Sequence, residues 1–252
     1  MRVLNFSTTS KLFATGATVG PIVDSLHNQC LLQYKIAPVS LEWPGGMTMS
    51  HYDYFFCSSW VVPPLLGIAY VVLGGILPGL FQQLTDKVGR QTTIKTISSV
   101  PKLRSRALTA VATTALIVLL SEFLETHPYV TDNLLPLDRP EAHLVVMFGA
   151  ALIQWALLDG TSAAFLAASL TSIAGPLAEL PFVANNVWVY LDQASDYFPL
   201  LNIDSSLCRF LLGDNYQNLA LSSITGPCYF AVTMDAIALG RWFDSSTSTE
   251  DK

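Results

Sequence analysis

The chain has 252 residues, 51% of them hydrophobic and 13% charged, with a formal net charge of −6 and a mean hydropathy of +0.44. A soluble globular chain carries about 25% charged residues, so this one is too apolar to cover itself in water, and disorder, which needs low hydrophobicity and high charge, is excluded. An acidic balance without a basic face argues against nucleic acid as a partner, and four cysteines with no C-x-x-C pair argue against a zinc ribbon or a small disulfide scaffold.

A membrane-spanning helix needs roughly 20 mostly apolar residues. The first candidate is 12–32, which contains Asp24 and His27. The second lies within 54–85 and is uncharged. The third is 103–123 and the fourth 143–158. After the interruption at Asp159, a fifth begins within 160–178 and runs toward Glu179; the sixth is 219–239 and contains Asp235. The expected fold is an all-α, polytopic bundle of six spans over residues 12–241, with tails at 1–11 and 242–252. Gly16, Gly20, Asp24 and His27 interrupt the first apolar stretch, so it is expected to be a retained helix and not a cleaved signal.

Lys and Arg set the orientation. Six spans place Arg2, Lys11, Lys87, Arg90, Lys95, Lys102, Arg104, Arg106, Arg241 and Lys252 on one side, against Lys35, Arg139 and Arg209 on the other. Both termini and the turn at Asp159 are therefore expected in the cytoplasm. Cys30, Cys57, Cys208 and Cys228 fall toward the opposite side, where a disulfide is permitted, although all four also suit buried small hydrophobes. The sequon Asn5-Phe6-Ser7 falls on the cytoplasmic side and is expected to be unmodified.

Gly16, Gly20, Asp24 and His27 share one helix face. Glycines four apart admit a neighbouring helix, and Asp24 and His27 then face the bundle interior, either lining a cavity or fixing a packing contact. Glu179 and Asp235 are further intramembrane acids, with no Lys or Arg in mid-span to pair with them. The second span carries Pro63, Pro64, Gly67, Gly74, Gly75, Pro78 and Gly79. The prolines predict kinks, and Gly75-x-x-x-Gly79 predicts close packing. No hydrolase, metalloprotease or phosphate-loop motif occurs. His27, His51, His127 and His143 lack ligand spacing, and His51 lies near Asp53 just before the second span. No catalysis, metal or cofactor is expected.

The run Phe56-Cys57-Ser58-Ser59-Trp60-Val61-Val62-Pro63-Pro64, followed by Gly67, Ala69, Val72, Gly74 and Pro78, resembles the second membrane segment of the Insig (insulin-induced protein) family. Trp155 and Asp159 are similar to the W-x-x-x-D that closes that family's fourth segment. Pro227-Cys228, Phe230 and Gly240-Arg241 resemble motifs of its last segment. The resemblance implies a six-span, non-enzymatic protein of the endoplasmic-reticulum membrane. It also implies oxysterol binding among the helices, and partners that are a sterol-sensing escort protein and sterol reductases. Asp159 stands where the family docks its escort partner.

Departures accompany these matches. Gly160-Thr161-Ser162-Ala163 replaces a stretch that holds two arginines in the family, Val61 replaces a tryptophan, and the connection 192–217 is long and acidic. The expectation is a divergent, non-animal member that binds a sterol or a diacyl lipid and regulates sterol or lipid metabolism through membrane partners. Trp60, Pro63, Gly67 and Trp155 are expected to line or shape the pocket, or the tryptophans to anchor at the headgroups. Asp159 is expected to dock the partner. The competing expectation is a small proton- or cation-coupled transporter that uses Asp24, Glu179 and Asp235.

Overall fold

The computed structural model describes residues 5–46, 54–87, 100–127 and 137–250. Arg2, His51, Asp53, Arg90, Lys95 and Lys252 lie outside the described residues, as do the side chains of His27 and Lys87.

Among the described residues the α-helices are α1 (Phe6–Leu31), α2 (Val62–Val71), α3 (Leu77–Lys87), α4 (Val100–Thr126), α5 (Arg139–Leu158), α6 (Ser162–Ala184), the short α7 (Ser206–Leu212) and α8 (Thr225–Glu250). Asn5 caps α1 by accepting the Ser7 N–H at 3.0 Å, and Thr161 caps α6 by accepting the Ala164 N–H at 3.3 Å. Proline opens α2 and α5 in the first turn, where a missing N–H costs nothing. Pro63 and Pro64 thus start a helix and do not kink one.

The break in the second span lies further on. A π-helical turn, Val72–Ile76, joins α2 to α3. Pro78 has no N–H to give the carbonyl of Gly74 four residues back, and Gly240 of α8 closes onto that carbonyl. In return, a side chain at Gly74 would strike the carbonyl of Ala236. Gly79 has open space beside it, so the expected Gly75-x-x-x-Gly79 contact is replaced by Gly74 against Gly240. Gly16 and Gly20 do admit a neighbour, Leu66 of α2.

Among the described residues, four segments are long and apolar enough to cross a membrane: Val62–Thr85, Lys102–Thr126, Arg139–Leu158 and Ser162–Ala184. Their outer faces present leucine and isoleucine, among them Leu116, Ile153, Leu157 and Ile173, as helices facing lipid do. Helices α1 and α8 are as long but more polar. Helix α8 is the centre of the bundle, in contact with α1, α4, α5 and α6; Phe230, Thr233, Met234, Asp235 and Ile237 on it are all buried. A helix surrounded by protein can keep threonine and aspartate that a lipid-facing helix cannot. Its Thr233 meets Thr171 of α6 at 2.6 Å, and Gln154 of α5 donates to Thr113 and Thr114 of α4 at 3.0 Å.

The tails are more helical than expected, since α1 starts at Phe6 and α8 runs to Glu250. The bundle is also not purely α. Strand β1 (Leu32–Tyr34) pairs antiparallel with β4 (Trp188–Tyr190), and β2 (Pro38–Leu41) pairs antiparallel with β3 (Phe56–Ser59). The first ribbon ties the end of α1 to the end of α6. The 192–217 connection packs Ala194, Leu200 and Tyr216 into the protein, while Asp196 accepts the N–H and hydroxyl of Ser223 at 2.7 and 2.9 Å.

Candidate functional site

A cavity of about 170 Å³ opens at the ribbon end of the bundle. Helix α1 contributes Gly20, Val23, Asp24 and Asn28. The first turns of α2 contribute Val62, Leu65, Leu66 and Tyr70, and α6 contributes Glu179. Thr225, Cys228, Tyr229 and Val232 come from the start of α8. The last wall is the ribbon itself. Side chains two apart on a strand share a face, so Leu32 and Tyr34 of β1 and Trp188 and Tyr190 of β4 all line the cavity. The register sets Tyr34 opposite Trp188, and their rings meet edge to face at 6.3 Å.

Two carboxylates face this space from different helices. Asp24 accepts Asn28 Nδ2 at 2.6 Å and the Tyr34 hydroxyl at 2.9 Å. Glu179 accepts the Tyr190 hydroxyl at 2.7 Å, and that hydroxyl lies 3.2 Å from Thr225 Oγ1. Tyr229 and Trp188 also face Glu179. Asp235 lies one shell behind, accepting the Tyr70 hydroxyl at 2.7 Å. Asp24, Glu179 and Asp235 therefore gather around one region, but each has its own partners. Among the described residues, no group of three or more His, Cys, Asp or Glu could hold a metal ion. None of the four cysteines is joined in a disulfide. His143 is buried with Glu125 at 3.3 Å, in a separate contact between α4 and α5.

Asp159 sits at the other end. Gly160 adopts φ +66° after α5 and stops the helix. The Asp159 carboxylate accepts the N–H of Thr161 at 3.0 Å, bonds its hydroxyl, and forms an ion pair with Arg241 of α8. Only 6% of its side chain is exposed.

The four residues expected at the pocket are not in the cavity wall. Trp60, just after β3, is 72% exposed. Pro63 opens α2. Gly67 receives the ring of Phe13, and Trp155 lies tilted against Phe165 with ring centres 5.0 Å apart and donates to the carbonyl of Thr161 at 3.1 Å. Of the polar residues singled out in the sequence, Asp24 and Glu179 line the cavity. Sequence reasoning missed Asn28, Tyr34, Trp188 and Tyr190. The available signals were Asn28 one helical turn after Asp24 and the alternation in 32–34 and 188–190.

No protein-family model matches the chain, and no curated protein matches its sequence significantly. Two solved structures match in three dimensions, each over 97% of this chain and 97% of its own, at 17% identity. One is MvINS, a mycobacterial Insig homolog from Mycobacterium vanbaalenii, with a TM-score of 0.60. The other is a cross-linked trimer of MvINS, with a TM-score of 0.59. The fold is Insig-like. That likeness extends beyond the stretches that carried the sequence resemblance. Helix α1 and the 192–217 connection, which contribute little to the motif matches, belong to the same Insig-type fold.

Proposed function

We propose that the protein is a multi-pass regulator of the endoplasmic-reticulum membrane that binds a sterol or a diacyl lipid in the ribbon-end cavity and performs no chemistry itself. Residues 12–241 form its membrane domain, crossing six times with both termini cytoplasmic. Helices α1 and α8 supply the two crossings that composition alone leaves too polar. The observation that carries the reading is the cavity, whose apolar wall of Val62, Leu65, Leu66 and Val232 leads to a polar pole at Asp24 and Glu179. An amphiphile has that same division.

The ribbon links the ligand to regulation. A ligand shifts a protein only through different affinity for its states. One that contacts Tyr34 and Trp188 bears on the β1–β4 pairing, and hence on how α1 sits against α6. The partners are membrane proteins of sterol metabolism, an escort protein or a reductase. Asp159 is the docking residue at the cytoplasmic edge, where a partner competes with Arg241 for its carboxylate.

Mass spectrometry of lipid extracted from the purified protein tests the reading. A sterol or diacyl lipid should co-purify at near-stoichiometric amount and fall when Leu66→Trp fills the cavity. Extracted lipid that merely mirrors the bulk membrane, unchanged by that substitution, contradicts it.

A further inference from the structure

The polar pole of the cavity is made of acids and aromatic rings. Asp24 and Glu179 reach it from α1 and α6, and Tyr34, Tyr70, Trp188, Tyr190 and Tyr229 surround them. No lysine, arginine or histidine is among the described residues that line it. Two carboxyl groups around one weakly polar space cannot both be charged without repelling each other, and a positive charge between them removes that repulsion. Rings of tyrosine and tryptophan attract a cation over their faces. The hydroxyls of Tyr34 and Tyr190 already donate to the carboxylates, so the carboxylates are oriented acceptors, which a head rich in donors completes.

We infer that the cavity selects an amphiphile whose head is a protonated amine, with the ammonium between Asp24 and Glu179 and the chain along Val62, Leu65 and Leu66. The inference rests on the proposed reading that the cavity holds a lipid, and it names the head that this lipid carries. A neutral sterol or diacylglycerol fills the apolar part but leaves the two acids facing each other.

The test uses the full chain in a nonionic detergent, with a fluorescent diacylglycerol as the displaced probe. Octadecylamine, octadecanol and stearate serve as competitors with one chain length and three heads. Octadecylamine is expected to displace the probe about tenfold more tightly than octadecanol, a factor worth about 1.4 kcal/mol, and stearate most weakly. Glu179→Gln should remove most of that preference. Asp24→Asn is the second variant, should Glu179→Gln fail to fold. Equal displacement by amine and alcohol, tighter stearate, or an amine preference that persists in both variants overturns the inference while leaving the lipid cavity standing. If neither the diacylglycerol probe nor a fluorescent sterol shows saturable binding, the proposed function falls, and the inference with it.

Discussion

Arg241, eleven residues before the end of the chain, forms an ion pair with Asp159 in the turn between α5 and α6. The pair clamps the central helix to the α5–α6 hairpin, and Thr161 holds the same carboxylate from the other side. Arg241 is 30% exposed while Asp159 is nearly covered, so the pair lies between the surface and buried cases. Asp159→Ala or Arg241→Ala should each lower stability by about 2 kcal/mol, midway between exposed and buried pairs. The double variant should cost less than the sum, read from thermal unfolding in detergent. Additive losses would show that the two residues do not act on each other.

The same pair separates docking from folding. Arg241→Ala releases the carboxylate to which the proposal assigns docking, whereas Asp159→Ala removes it. Co-purification of the membrane partner should fall with Asp159→Ala and hold or rise with Arg241→Ala, at comparable stability loss. Equal losses of partner from both variants would assign Asp159 to structure alone.

Helix α8 crosses the π turn where Gly74 and Gly240 leave no room for a Cβ. Gly240→Ala drives a methyl into the Gly74 carbonyl and should destabilise by about 1–3 kcal/mol, as overpacking does. Gly79→Ala meets open space and should be neutral or mildly stabilising, since alanine suits a helix better than glycine. A similar loss from both would contradict the assignment of the close contact.

How much of this was readable in the sequence depends on what each feature needs from distant residues. The apolar runs that became α4, α5 and α6 are local, and their positions follow from composition. The second span, expected within 54–85, begins at Val62, because 56–59 pairs with β2 as a strand. Polar α8 reads as a marginal span because its Thr225, Thr233 and Asp235 are covered by the rest of the protein, a fact no local window contains. The cavity was half visible. Asp24 stands out on its helix, but Tyr34 meets Trp188 through a register between segments far apart in the chain, and three-residue strands leave almost no periodic signal. Trp60 stood out as an aromatic, yet its side chain points outward.

Burial in the 192–217 connection pushes the Asp196 carboxyl above its ordinary 3.8, although the Ser223 N–H and hydroxyl bonds pull the other way. The folded protein therefore holds this proton more tightly than the unfolded chain. Its contribution to stability is full below the ordinary value and is lost as pH rises through the folded one. Asp196→Asn keeps an acceptor for the Ser223 N–H and cannot ionise. Relative to the parent, its stability should improve as pH rises from about 4 to 7, followed by thermal unfolding across that range. A relative decline would mean that the carboxylate is favoured in the fold.

Tyr190 holds Glu179 from β4 and touches Thr225 at the start of α8. Tyr190→Phe removes the hydroxyl alone and should cost about 1–3 kcal/mol, the value of leaving a buried polar group without its partner. It should also weaken lipid retention measured on the purified protein. Retention unchanged at the expected stability loss would place Tyr190 in the fold and not in the site.

The central claim, a lipid held against α2 at the ribbon end, is tested most directly by photo-crosslinking. A diazirine sterol or diacyl lipid should label peptides covering 62–70 and 188–190 saturably. Unlabelled lipid should compete, and Leu66→Trp should abolish the labelling. Labelling that no unlabelled lipid competes away, or that falls only on the outward faces of α4, α5 and α6, would contradict it.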